Sequence, residues 1–145
     1  MQNINEMRLD FPAIPENEGF ARMVISAFLV PLNPTIEEMA DVKTAVSEAV
    51  TNAIVHGYPD QLGRVLIKLR LFPENLLEIT VRDWGVGIPD IQQARQPMYT
   101  TGGEERSGMG FTIMESFMDT IRVRSTPGRG TVVTMRKKIS LRTRP

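Results

Sequence analysis

Three polar side chains stand four residues apart in the segment TAVSEAVTNAIVHGY: Glu48, Asn52 and His56. At this spacing side chains lie one above another on a helix, so one surface presents all three. A carboxylate can take the proton of an attacking hydroxyl, and an amide oxygen suits Mg²⁺. Each also has a plainer interpretation: a solvated glutamate, a locally bonded asparagine, and a histidine near the last carbonyls of the helix.

The segment Asp83-Trp84-Gly85-Val86-Gly87 follows an apolar, strand-like run. The Asp83 carboxylate could accept a hydrogen bond from an exocyclic amine, while Gly85 and Gly87 would let the backbone approach a base and a sugar closely. The alternative is a turn aspartate that bonds the amides next to it. Both interpretations place Asp83 at the end of a strand.

A second glycine segment, Gly108-Met109-Gly110-Phe111, stands where a loop enters a predicted helix. The free amides of a helix start attract phosphate. Arg106 and Ser107 just before it would add a positive charge and a hydroxyl. A single Gly-x-Gly is common, but together with Glu48, Asn52 and Asp83 it makes ATP binding the leading hypothesis.

Composition narrows the functional class. The 145 residues include 17 basic and 17 acidic side chains and no cysteine. We therefore expect a single domain, 1–145, with no direct nucleic-acid partner, no disulfide and no thiolate metal site. Without a signal peptide or an apolar run of about 20 residues, the expected location is the cytoplasm, away from membranes. Neither a P-loop nor a dinucleotide glycine motif is present.

Hydrophobic periodicity and turn residues predict the order of elements. The predicted elements are a strand at 4–11, a helix over about 20–30, a helix at 35–56, hairpin strands at 64–72 and 76–82, a long loop at 84–107 with a short helical turn near 91–95, a helix at 110–118, and strands at 121–125 and 131–138. Thr35 and Glu38 have the spacing of a capping box. The expected fold is α+β: three helices on one face of a mixed, mainly antiparallel sheet.

Two helices are predicted to bury one apolar stripe each. The stripe of the first contains Phe20, Met23, Val24, Ala27 and Phe28, with Val30 near its end. The stripe of the second contains Ile36, Met39, Val46, Val50 and Ala53.

The spacing Glu48-x-x-x-Asn52, Asp83-x-Gly85-x-Gly87 and Gly108-x-Gly110 resembles the N, G1 and G2 boxes of the GHKL superfamily, the Bergerat-fold ATPases. Within it, the segments SEAVTNAIVHGY, VRDWGVGIPDIQQARQP and ERSGMGFTIMESFMD are most similar to the anti-sigma factor serine kinases, in particular those that act on the sigma F type in sporulation. Trp84 and the segment 100–105 depart from the pattern of close relatives.

The resemblance implies a homodimer that sequesters a sigma factor and uses Mg-ATP to phosphorylate a serine of an anti-anti-sigma protein. Carried onto this sequence, Glu48 is the general base, Asn52 the Mg²⁺ ligand and Asp83 the adenine acceptor. The remaining implied positions are Gly85, Gly87, Ser107, Gly108, Met109, Gly110 and Phe111 around the nucleotide, Arg106 at its terminal phosphate, Thr131 at the adenine, and Arg22 for partner contact.

Two alternatives belong to other classes. One is a non-catalytic module that sequesters a sigma factor and holds ATP as a structural ligand. The other is the catalytic half of a histidine kinase, which ranks lower because the chain has a single histidine and no dimerisation helix pair before the domain.

Overall fold

A five-stranded sheet forms one layer of the protein. The computed structural model describes residues 2–59, 61–88 and 110–141. The strands are β1 (Asn5–Pro12), β2 (Arg64–Phe72), β3 (Leu76–Asp83), β4 (Thr120–Thr126) and β5 (Gly130–Lys138). Their order is β1-β2-β3-β5-β4, and all four pairings are antiparallel. The expected parallel component of the sheet is therefore not found among the described strands.

Within the described ranges, three α-helices cover one face of this sheet: α1 (Glu16–Leu29), α2 (Ile36–Asn52) and α3 (Gly110–Phe117). One hydrophobic cluster joins them to the inner residues of the strands. The alternation along β2 and β3 explains this, since Val65, Ile67, Ile79 and Val81 are buried while their neighbours face outward. The α+β, two-layer architecture predicted from the sequence is confirmed.

The predicted buried stripe of α1 is wrong. The buried residues are Ala21, Ile25 and Leu29. Val24 and Phe28 are partly buried against the core. The other members of the predicted stripe are exposed, Met23 to 70%: Phe20, Met23, Ala27 and Val30. From Phe20 to Leu29 only Arg22 and Ser26 are polar, so periodicity could not decide which apolar stripe meets the sheet. Small Ala21 lies at the packed surface, where it lets the helix approach closely.

The capping box at the start of α2 is confirmed. Thr35 Oγ1 accepts from the Glu38 amide at 3.0 Å, and the Glu38 carboxylate accepts from the Thr35 amide at 2.8 Å. Ile36, predicted to face the core, is 91% exposed because it lies in the first turn, before the helix reaches the sheet. The buried residues of α2 are Val42, Ala45, Val46, Ala49 and Val50.

The helical run predicted at 35–56 changes type partway. The α-helix ends at Asn52 and continues as a π-helical turn, Ala53–Gly57. Single π-helical turns of this kind are rare and occur frequently at functional sites. No helix in the described part of the chain is long and apolar enough to cross a bilayer.

A buried carboxylate joins three strands on the outer face of the sheet. Glu78 of β3 is 2% exposed and pairs with Arg70 of β2 and with Arg136 of β5, whose Nη2 lies 2.7 Å from it. Burial works to raise the pKa of Glu78, but the hydrogen bonds and charges of the two arginines outweigh it and lower this pKa below its ordinary value of 4.5.

We therefore expect Glu78→Gln to change how stability responds to acid. A depressed pKa contributes stability above the unfolded value near 4.5, and the contribution disappears as pH falls through the folded value. The free energy of unfolding of the variant should be lower than that of wild type by about 1–2 kcal/mol at pH 7. Below pH 5 it should decrease less steeply with falling pH than that of wild type. Urea unfolding at several pH values measures this, with Glu16→Gln as the exposed control. If the free energy of unfolding fell equally steeply below pH 5 for wild type and Glu78→Gln, the expectation would be wrong.

Candidate functional site

Asp83 is a buried carboxylate at the carboxyl end of β3. The residue is 5% exposed, and its Oδ1 accepts from the Gly85 amide at 2.9 Å. Burial raises the pKa of Asp83, and hydrogen bonds from the backbone of Gly85 and Thr131 act in the opposite direction without cancelling it. The bond to Gly85 is the one that the turn interpretation anticipated, so an adenine-accepting role would be additional to it.

Backbone packs against this aspartate with no room for side chains. A Cβ on Gly57 would lie 2.9 Å from Asp83 Cγ, and one on Gly130 would lie 2.1 Å from the Asp83 carbonyl oxygen. A Cβ on Gly85 would lie 1.8 Å from the Gly57 carbonyl oxygen. That same oxygen accepts from the Val86 amide at 2.8 Å. The π-helical turn and the turn after β3 are thus locked together around Asp83 by glycine.

Tyr58 strengthens the same junction. Its hydroxyl accepts from the Trp84 amide at 2.7 Å and donates to the Arg64 carbonyl oxygen at 2.8 Å. Gly63 makes this possible, because a Cβ there would lie 2.1 Å from the Tyr58 ring. Gly57, Tyr58 and Gly130 were not predicted as site residues. Gly57 directly follows the helix predicted at 35–56, Gly130 directly precedes the strand predicted at 131–138, and the sequence gave no signal for Tyr58.

Gly87 and Thr131 belong to the side of the site formed by the β4–β5 hairpin. Gly87 has φ +79° and lies against the hairpin backbone, where a Cβ would be 2.5 Å from the Thr126 carbonyl oxygen. The Thr131 hydroxyl is 2.9 Å from Ser125 Oγ, which accepts from the Ile88 amide at 2.7 Å. The structure therefore brings Thr131, Asp83 and the glycines of the first segment together.

Asn52, the side chain predicted to bind Mg²⁺, lies against Gly110 of the second glycine segment. A Cβ on Gly110 would lie 2.9 Å from Asn52 Nδ2 and 3.2 Å from Asn52 Oδ1. Glu48 lies one turn earlier on α2, so these three predicted residues share one region. His56 falls in the π-helical turn, where a spacing of four no longer keeps its side chain in line with Asn52.

Three further placements complete the comparison with the predicted site. Phe111 is buried in the hydrophobic core, so its side chain packs there. Arg22 lies on α1, paired with Glu18 at 3.3 Å, and lines the same cavity as Glu48. Arg106, Ser107, Gly108 and Met109 lie outside the described residues, as do the loop segment 100–105 and the turn predicted near 91–95.

The residues present suit an adenine nucleotide with a magnesium ion. Asp83 offers a buried acceptor enclosed by closely packed glycine backbone, and Asn52 offers a neutral oxygen beside Gly110 at the start of α3. In the described ranges no group of three acidic or histidine side chains could hold a metal. A nucleotide-dependent ion does not require one, since Mg²⁺ is usually held by one or two protein ligands, phosphate oxygens and water.

Comparison with known proteins identifies the family. A model of the histidine kinase-like ATPase domain matches residues 11–137. The anti-sigma F factor of Clostridium perfringens strain SM101 is 54% identical over 137 residues, which cover 94% of this chain and 98% of that protein. The anti-sigma F factor of Thermoanaerobacter sp. strain X514 is 54% identical over 140 residues, covering 96% and 97%. The chain therefore belongs to the histidine kinase-like ATPase family and, within it, to the group of the anti-sigma F factors.

Solved structures agree on the fold. The RsbU and RsbW domains of Rv1364c from Mycobacterium tuberculosis align with a TM-score of 0.68 at 19% identity, over 97% of this chain and about a third, 33%, of that one. The histidine kinase domain from Erythrobacter litoralis EL346 aligns with a TM-score of 0.57 at 25% identity, over 71% of this chain and 45% of that one. The resemblance stated from the sequence is confirmed at the level of fold and family.

The packing around Asp83 leads to a direct test. Gly57→Ala must displace the Asp83 carboxylate, because the new Cβ would lie 2.9 Å from Cγ. We expect its affinity for adenine nucleotides to fall at least about tenfold, the cost of misplacing one hydrogen bond to a charged group. Isothermal titration with ATP and Mg²⁺ measures this.

The matched control is Gly19→Ala, where the nearest atom outside the adjacent backbone, Arg22 Nη2, is 3.7 Å away. Its affinity should equal that of the wild type. A folded Gly57→Ala protein with unchanged affinity would show that the position of Asp83 does not govern nucleotide binding.

Proposed function

We propose that this protein is an ATP-dependent protein-serine kinase that also sequesters a sigma factor. The proposal is supported above all by one observation: a single helical run, α2 with its π-helical turn, contacts both ends of the candidate site. Gly57 packs on the Asp83 carboxylate, and Asn52 packs on Gly110. The proposed adenine acceptor on β3 therefore packs against the same rigid element that carries the proposed metal ligand Asn52. Glu48 lies about 6 Å from Asn52 along the axis of that helix.

Each residue has a proposed role in the reaction. Asp83 accepts from the exocyclic amine of adenine, and Asn52 holds Mg²⁺ through its side-chain oxygen. Glu48 accepts the proton of the attacking serine hydroxyl. Bound ATP supplies the phosphoryl group: the bond from its γ-phosphorus to the β-phosphate oxygen breaks as the serine Oγ bonds that phosphorus, and ADP leaves. Arg106 is proposed to neutralise the transferred phosphate, and Ser107, Gly108, Met109, Gly110 and Phe111 to form the phosphate side of the site.

The partners are proposed from the relatives, which are named anti-sigma F factors. We propose that a sigma factor of the F type binds this chain as a homodimer in the cytoplasm. The serine to be phosphorylated is proposed to belong to an anti-anti-sigma protein. Arg22, half exposed beside the cavity that also contains Glu48, is the proposed contact for these proteins.

The kinase role predicts a specific result for Glu48→Gln. Glutamine keeps the size of the side chain but cannot accept a proton, so phosphotransfer should fall about a hundredfold or more with little change in nucleotide affinity. Radiolabelled ATP offered with the cognate anti-anti-sigma protein measures transfer, and calorimetry measures affinity. Glu37→Gln, at an exposed position of the same helix, is the control.

Asp83→Asn should show the opposite pattern, losing nucleotide binding itself. If wild type leaves the serine unlabelled while it binds both ATP and the sigma factor, the chain is the non-catalytic sequestering module. If Glu48→Gln labels the serine at the wild-type rate, Glu48 is not the base.

The partner role predicts that Arg22→Ala weakens sigma-factor binding at least about tenfold with nucleotide affinity unchanged. Arg8→Ala is a matched control, since Arg8 also pairs with a glutamate, Glu6, at 3.5 Å but lies on β1. Surface plasmon resonance with immobilised sigma factor measures both variants. Equal sigma-factor affinity for Arg22→Ala and wild type would remove Arg22 from the interface.

A further inference from the structure

A cavity lies between α1 and α2, on the Glu48 side of the site. Its volume is about 420 Å³, and it is lined by Arg22 of α1 and by side chains of α2 from Ile36 to Glu48. We refer to it as the acceptor groove. It connects the residue proposed as general base with a surface that the fold leaves exposed.

The acceptor groove changes in chemistry along its length. Glu48 stands at one end and the apolar pair Ile36 and Met39 at the other. Lys43 lies between them, and within the described ranges no acidic side chain forms an ion pair with it. Ile36 is 91% exposed, so it contributes almost nothing to the core. These features, a cation that has no ion pair with the described residues and an exposed apolar side chain, suit a partner that supplies an acid and an apolar group.

The length of the acceptor groove matches a short extended segment. Ile36 and Glu48 are twelve positions apart on α2, which corresponds to about 18 Å along the helix axis. An extended chain advances about 3.3 Å per residue, so about five or six residues span this distance. With a serine held at Glu48, a side chain about two positions away would lie opposite Lys43. Side chains about four to six positions away would lie opposite Met39 and Ile36.

We propose that the acceptor groove binds the serine-bearing segment of the protein substrate and selects it through Lys43, Ile36 and Met39. Lys43 pairs with an acidic side chain of that segment, and Ile36 with Met39 packs on an apolar one. The proposal rests on the proposed kinase function, because it uses Glu48 as the base that receives the serine. It adds determinants of substrate choice that do not touch the nucleotide.

The test compares Lys43→Glu with wild type in steady-state kinetics on the cognate anti-anti-sigma protein. Charge reversal should raise the KM for that protein at least about tenfold, with the KM for ATP unchanged. Ile36→Asp should act in the same direction. Lys68→Glu is the control, since Lys68 alternates with buried Ile67 and Leu69 on β2 and faces away from the helices; it should behave as wild type.

Charge exchange provides a second readout that a purely structural role would not change. Acidic residues near the serine of the substrate are replaced by lysine one at a time, and one replacement should restore the KM with Lys43→Glu. Failure of every replacement, or an unchanged KM in Lys43→Glu and Ile36→Asp, overturns the proposal.

Direct binding separates this proposal from the kinase proposal. The affinity of the anti-anti-sigma protein for each variant is measured with ADP and Mg²⁺, where no transfer occurs. If wild type does not phosphorylate the serine but Lys43→Glu still loses binding, the kinase function fails and the acceptor groove stands. If wild type transfers phosphate while Lys43→Glu binds equally well, the acceptor groove fails and the kinase function stands.

Discussion

The fold around the site is organised by the burial of one carboxylate. Asp83 is almost fully enclosed at the end of β3, where a charge is costly unless backbone amides surround it. Gly85 and Thr131 supply those amides, and they can do so only because Gly57, Gly85 and Gly130 let three backbone segments meet at distances that a Cβ would forbid. The glycines are therefore a consequence of enclosing Asp83.

The π-helical turn is what connects this carboxylate to the rest of the site. By widening the helix after Asn52, it presents the Gly57 carbonyl to the Val86 amide and the Tyr58 hydroxyl to the Trp84 amide. An α-helix and a sheet usually meet only through side chains, but here the backbone of the helical run bonds the backbone of the turn that follows β3. The spacing between the Asp83 end and the Asn52 end is fixed by the helix itself.

Local patterns in the sequence predicted most of the helices and strands, because the limits of these elements are set by residues that are close in sequence. The hairpin of β2 and β3 begins and ends within one residue of its predicted limits, and the capping box sets the start of α2. The sequence was less informative about which residues of each helix contact the sheet. Ile36 was placed in the core because its position on the stripe was right, although the sheet does not extend to the first turn of α2.

The difference between local patterns and long-range contacts also applies to the residues of the candidate site. Motif spacing predicted Glu48, Asn52, Asp83 and Gly110 as site residues, and the structure brings Asn52 against Gly110 and Asp83 against the first glycine segment. It missed Tyr58, whose contact with Trp84 joins residues 26 positions apart and follows no helical or strand period. It also could not show that the second half of the predicted helix is π-helical, since π-helical turns have no distinctive residue pattern.

The central claim is that the buried Asp83 carboxylate selects adenine by accepting from its exocyclic amine. Calorimetric titration of wild type with ATP and with inosine triphosphate, both with Mg²⁺, tests it most directly, because the two differ at that amine while their phosphates are identical. The account predicts at least about tenfold tighter binding of ATP, since the carbonyl oxygen of inosine would face a carboxylate. Equal affinities, or no detectable binding of either nucleotide, would contradict it.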